Sequence, residues 1–207
     1  MRRHKGDPQT EQRWVVVDCE TSGLDPEHDE LLSIGAVGVR VLGATAEIIA
    51  GDSFEVLVRP LRTSDDDNVL VHGIGRAAQQ SGQDPAVALT DFSAWVDGAP
   101  LIAFHAPFDR AFIQRACGRA KVAPPPRNWL DLAQLAPALW PERRARALDD
   151  WLAAFELSAP GRHSAPGDAL ATALLLALML PVAQRQGAQG IEALRRTANA
   201  MRWIQQP

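Results

Sequence analysis

Tyrosine is absent from this 207-residue chain, and cysteine and lysine occur only twice each. Without tyrosine, no step of its chemistry can run through a phenol. Cys19 and Cys117 are too few for a disulfide framework, and Cys19 falls within an apolar run that reads as a strand. That usage fits a reduced, cytoplasmic compartment. Long apolar runs are missing too. The longest, Ala169 to Leu180, is short of the roughly 20 residues that span a bilayer, so it reads as a buried helix and no membrane partner is expected. Nor is there an excess of positive charge: 21 Lys and Arg stand against 25 Asp and Glu, for a net charge of -4. A global basic field of the kind that drives non-specific duplex binding is thereby excluded, and any nucleic-acid contact must be local. Residues 1–13 are polar and lack the apolar core of a signal peptide. They are expected to form a flexible tail ahead of one compact domain over residues 14–207.

What is present centres on Trp14 to Pro26, W-V-V-V-D-C-E-T-S-G-L-D-P. An apolar, β-branched run too short for a helix and closed by Gly and Pro predicts a buried strand ending in a turn. Side chains alternate across a strand, so Asp18 and Glu20 share the face of Trp14 and Val16, while Val15, Val17 and Cys19 point the other way. Two carboxylates converge at the strand's end. Burying both is costly unless something positive neutralises them, and hard divalent cations suit oxygen-only ligands. The structural alternative for such a pair is a helix cap or a solvated turn.

Downstream, Leu31 to Leu42 and Ile48 to Val58 read as two further strands, which with the first make an antiparallel meander. The run Asp65 to Asp67 reads as a solvated loop. Pro85 to Val96 predicts a helix, Leu101 to Phe104 a short strand, and Pro107 to Arg119 the helix after it, with Asp109 in its first turn. Trp129-Leu130 suggests a last strand, after which Asp131 is placed to cap a helix through Leu139. Ala147 to Leu157 reads as an amphipathic helix and Gly161 to Gly167 as a polar loop carrying His163. Asp168 then sits just inside a long apolar helix ending near Leu180, and a closing helix begins at Ile191. Strand followed by helix after an antiparallel opening predicts an α/β fold, a mixed sheet with helices packed on its faces.

Asp18, Glu20, Asp109 and Asp168 thus stand at element ends, with His163 beside the last. Two divalent ions held by acidic side chains can clamp the attacking and leaving oxygens of a phosphoryl displacement. A histidine on a neighbouring loop can take the proton from the attacking water. Taken singly, Asp109 and Asp168 could merely favour helix N-termini through the macrodipole. Arg110, Arg115, Arg119, Arg143, Arg144 and Arg146 are either solvated helix faces or approaches to a phosphate backbone.

Three motifs occur in order: V-V-V-D-C-E-T-S-G-L-D-P (Val15 to Pro26), F-H-A-P-F-D-R-A-F-I (Phe104 to Ile113) and H-S-A-P-G-D (His163 to Asp168). In them the chain resembles the DnaQ-like 3′→5′ exonucleases of the DEDDh class, including polymerase proofreading epsilon subunits. The absence of tyrosine excludes the related class with tyrosine in the histidine's place. The resemblance implies a ribonuclease H-like fold. It implies that Asp18, Glu20, Asp109 and Asp168 hold two Mg²⁺ or Mn²⁺ ions, and that His163 is the general base. It places Thr21, Gly23 and Leu24 in the turn against the terminal nucleotide, His72 beside the 3′ end, and Phe108 by the terminal sugar or base. The family commonly has H-N-A before the third acidic residue, whereas Phe104, His105 and Ala106 stand here, so the asparagine's polar contact passes to His105 or is lost. The implied activity is metal-dependent hydrolysis of single-stranded or frayed 3′ ends, of DNA or of RNA, to 5′-mononucleotides. Another class of reading, a non-catalytic subunit binding nucleic acid or a polymerase, would be expected to have lost an acidic residue or His163. Association with a polymerase or a second copy is left open.

Overall fold

A computed structural model describes residues 10–64, 69–70 and 72–204; the run Asp65 to Asp67, most of the tail and the side chains of residues 201–204 lie outside that description. β1 (Gln12–Thr21), β2 (Leu31–Leu42) and β3 (Thr45–Leu57) form the antiparallel meander, followed by β4 (Leu101–Ala103) and β5 (Trp129–Asp131), both parallel to β1. The sheet order is β3-β2-β1-β4-β5, which makes β1 the middle strand. β1 begins at Gln12, two residues before its apolar run, because Gln12 and Arg13 continue the ladder opposite Val41 and Arg40.

The helices are α1 (Arg76–Ser81), α2 (Pro85–Val96), α3 (Ala106–Ala120), α4 (Leu132–Leu139), α5 (Leu148–Ala154), α6 (Ala165–Arg185) and α7 (Ile191–Ile204). They cover both faces of the sheet. Trp14 and Val16 join a core with α4, α6 and α7, whereas Val15, Val17 and Cys19 join a second core with α2 and α3. The alternation along β1 therefore feeds two cores, and each fully buried Val there contributes about 1.5–3 kcal/mol of transfer free energy. Cys19 and Cys117 are both buried and unpaired.

Most elements shift by one to three residues from expectation, and two helix ends differ for a clear physical reason. α6 runs past Leu180 through Pro181 to Arg185, because Ala183 beyond the proline is fully buried in the same core and the packing outweighs one lost backbone bond. By length and composition α6 could cross a membrane, yet it packs along β1, β2 and β3 with more than half of its apolar window buried. α5 stops at Ala154, short of Leu157, where Glu156 turns left-handed at φ 53°. α1 has only six residues, too few for a periodic pattern to announce it.

The approach of α6 to β2 sets the height of its first turn. A Cβ on Gly35 would come within 2.2 Å of the Ala165 backbone, so only glycine lets the helix start seat on the strand. Gly167 has the same function one layer out: a Cβ there would lie 1.8 Å from the Gly161 carbonyl oxygen. That contact folds the loop before α6 back over its own helix start.

Candidate active site

Asp18 and Glu20 project from the end of β1 toward α6, and Asp168 meets them from that helix. Ligand oxygens of the three carboxylates lie within 4.8 Å of one another. Asp168 is held by its surroundings: Ser164 caps α6 and accepts from the Gly167 amide at 3.4 Å, and the His163 amide donates to Asp168 Oδ1 at 3.1 Å. Asp109 reaches the same strand end from the opposite face, in the first turn of α3, and is only 3% exposed. It stands outside the group of three but near enough to raise the Asp18 pKa, and it accepts a hydrogen bond from the Cys19 thiol.

The electrostatics are those of a donor set short of positive charge. Burial, then Asp109, Asp168 and Glu20, push the Asp18 carboxyl well above the usual range. Glu20 rises to about 7, by burial and the Asp168 charge. Asp109 rises to about 8 through burial, against the pull of its hydrogen bonds to backbone and Cys19. Asp168 is also raised, chiefly by burial. A hard cation would relieve all four at once, so these residues fit a divalent metal.

Among the described residues, Arg162 is the cation seated with these carboxylates. Its guanidinium contacts Asp168 and also Asp149, and it lowers the pKa values of Asp18, Glu20 and Asp168 against the effect of burial. Sequence reading passed over this residue, although a cation next to the histidine of the third motif was a visible signal. His163 itself is exposed on the loop before α6, in a left-handed conformation at φ 63°.

A cleft of about 560 Å³ opens beside the cluster, with Asp18 common to both. Leu24, Phe104, His105, Phe108, Asp109 and Asp131 are among its lining residues. Leu24 is 85% exposed at the tip of the turn after β1. Thr21 Oγ1 closes that turn by donating to the Gly23 carbonyl at 2.6 Å. Phe108 leans on Phe112 with ring centroids 4.8 Å apart. His105 occupies the position before α3 at φ 63°, without a side-chain capping bond, in a left-handed conformation that Asn, Asp and His tolerate better than other side chains. Its backbone amide donates to Asp131 Oδ1, which also accepts from Ala133, so Asp131 caps α4 as expected and pins the start of α3 as well. His72 does not line the cleft. It is 5% exposed, accepts from the Ile74 amide through Nδ1, and its pKa is lowered by burial.

A five-stranded mixed sheet with helices on both faces and acidic residues gathered at the end of its central strand defines a ribonuclease H-like α/β fold. The chain belongs to the exonuclease family RNase_T, whose model matches residues 15–176. Among curated proteins it is similar to the PolC-type DNA polymerase III of Bacillus subtilis, 31% identical over 180 residues covering 86% of this chain and 12% of the relative. It is similar to a DNA polymerase III subunit epsilon-like protein of Rhodobacter capsulatus, 31% identical over 84% of this chain and 24% of that protein. The chain thus spans between about an eighth and a quarter of the length of these relatives. In structure it resembles exonuclease X in complex with 5′-overhanging duplex DNA (TM-score 0.67, 22% identity, 89% of this chain and 99% of that one). Cell-death related nuclease 4 has the same fold (TM-score 0.71, 16% identity, 82% of this chain and 64% of that one).

Proposed function

We propose that this chain is a metal-dependent 3′→5′ exonuclease that hydrolyses the terminal phosphodiester of single-stranded or frayed DNA and releases 5′-mononucleotides. The observation that carries this reading is the close approach of Asp18, Glu20 and Asp168 at the mouth of a nucleotide-sized cleft, with Asp109 and His163 beside them. Asp18, Glu20, Asp109 and Asp168 would hold two divalent cations, Mg²⁺ or Mn²⁺. When bound, these ions supply the positive charge that offsets the attacking and leaving oxygens.

The chain's own groups do the rest. The cleft takes the terminal nucleotide, with Leu24 and Phe108 offering apolar surface to a base face of any identity, which suits an enzyme that removes whatever residue comes last. Thr21 and Gly23 hold the turn that carries Leu24, and His105 provides a polar edge in place of the family's asparagine. His72, buried away from the cleft lining, is given no contact with the terminal nucleotide. His163 accepts the proton of the water that attacks phosphorus as the bond to the 3′ oxygen breaks, and that oxygen takes up a proton from solvent. DNA is favoured over RNA because the curated relatives are DNA polymerase components and several structural neighbours hold DNA. That the acidic set and His163 all come from this one chain supports a stand-alone enzyme, and the buried free cysteines suit a reducing cytoplasm.

The test is a gel assay of 5′-labelled single-stranded DNA and RNA of one sequence, with Mn²⁺ or chelator, using wild-type and His163→Ala protein. A descending ladder that needs both metal and His163, faster on DNA, is the expected result. Intact substrate in every lane would move the reading to a binding subunit, and a faster RNA ladder to RNA trimming.

A further inference from the structure

A second cavity, of about 300 Å³, lies next to the first and shares Pro107, Asp131 and Gln134 with it. The two are neighbours along the edge formed by those three residues, and the second is a groove. Its far part is lined by Arg110 of α3 and by Arg195 and Asn199 of α7. Arg110 is exposed and has no ion-pair partner among the described residues. Arg195 uses one nitrogen, Nη1, for both of its contacts, to Asn128 Oδ1 at 3.0 Å and Glu192 at 3.3 Å, so the rest of its fork keeps its donors.

Other arginines offer less. Arg115 and Arg119 are paired with Glu27 and Glu30, and Arg143 lies over the Phe155 ring at 4.6 Å. In a chain of net charge -4, the groove is lined by two guanidinium groups against one carboxylate, that of Asp131. Guanidinium forks match phosphate oxygens, and the Asn199 amide adds a neutral donor and acceptor.

We propose that the groove is the track of the upstream strand: while the 3′-terminal nucleotide sits in the cleft, Arg110 and Arg195 hold phosphates of the nucleotides that precede it. The inference rests on the exonuclease reading and adds a length preference to it. A substrate of two nucleotides gains little from the groove, and one long enough to cross Pro107 gains two charge-assisted contacts.

The test measures fluorescence anisotropy of 5′-labelled oligothymidylates of two and eight nucleotides in Ca²⁺, from 50 to 300 mM salt. The proteins compared are wild type, Arg110→Ala/Arg195→Ala, the double lysine variant Arg110→Lys/Arg195→Lys, and Arg144→Ala as an exposed arginine that lines neither cavity. Wild type should bind the eight-mer at least about tenfold more tightly than the two-mer. The double alanine variant should lose most of that difference, and its log–log salt slope should flatten by about 1.4, at about 0.7 per single-strand phosphate. The lysine variant should recover part of both, and Arg144→Ala should keep the wild-type slope. An unchanged slope and length dependence in the double alanine variant would overturn the track, as would an equal loss in Arg144→Ala. Hydrolysis of a thymidine 5′-phosphate nitrophenyl ester by wild type in Mn²⁺ judges the exonuclease reading separately, since so small a substrate cannot reach the groove.

Discussion

Replacing Asp109 with asparagine removes a carboxylate that is 3% exposed and whose pKa stands at about 8 in the fold. In the unfolded chain the same group titrates near 3.9. Between those values the folded state keeps a proton that the unfolded state has lost. The contribution of Asp109 to metal-free stability should therefore be fullest below about pH 4, fall as pH rises, and level off above about pH 8. At 1.36 kcal/mol per unit the shift is worth at most about 5 kcal/mol at pH 8. Relaxation and water entering the cleft reduce this, and about 1–3 kcal/mol is the expected gain for Asp109→Asn at that pH. For a chain of this size the gain is a Tm rise of about 2–10 °C. The asparagine protein should be nearly inactive, losing more than the 10–100-fold typical of an outer-shell partner of a metal ligand. Thermal melts in EDTA from pH 5 to 8.5 on both proteins read the effect directly. Parallel Tm–pH curves, or an asparagine variant less stable than wild type at pH 8, would refute the argument that burial disfavours the charged form of Asp109.

Three further outcomes follow from the same site. Mn²⁺ or Mg²⁺ at a hundred times its Kd should add about 2.7 kcal/mol, a Tm rise of about 5–10 °C that disappears in Asp18→Asn; absence of any shift at millimolar metal would count against a preformed site. Arg162→Ala removes the cation that contacts Asp168, so the metal-free protein should melt lower while Mn²⁺, followed by calorimetry, binds more tightly; weaker binding would show that Arg162 supports the metal site instead of competing for it. Gly35→Ala forces the start of α6 away from β2 and should cost about 1–3 kcal/mol. It should also weaken Mn²⁺ binding, because Asp168 moves with the helix start; a normal affinity would separate strand packing from the site.

Much of this was legible in the residues themselves. The three-residue β-branched run before Asp18 placed the middle strand, and period-two alternation put Trp14 and Val16 in one core and Val15, Val17 and Cys19 in the other. The bounds of β2 and α2 matched because strong local signals, a polar turn and a proline at the first helical position, coincide with the tertiary boundaries. What stayed hidden depends on contacts distant in sequence. Gly167 read as loop, yet it is helical, because its missing Cβ admits the Gly161 carbonyl. The second tie made by Asp131, to the His105 amide, links residues 26 positions apart, and no local pattern announces such a bond. The Arg162 contact with Asp149 crosses between α5 and the loop before α6, so the pairing could not be read from spacing.

The acidic cluster is assembled from the two sides of β1, by Asp109 coming through one core and Asp168 through the other. During synthesis Asp18, Glu20 and Asp109 emerge well before Asp168 and His163. On the proposed reading, a nascent chain carries three of its four acidic groups before the site can form, and a chain that has consolidated only one face of its sheet lacks the site as well. Hydrolytic power, on the proposed reading, arrives in one step with the docking of α6, and a nuclease built this way is silent until it is whole.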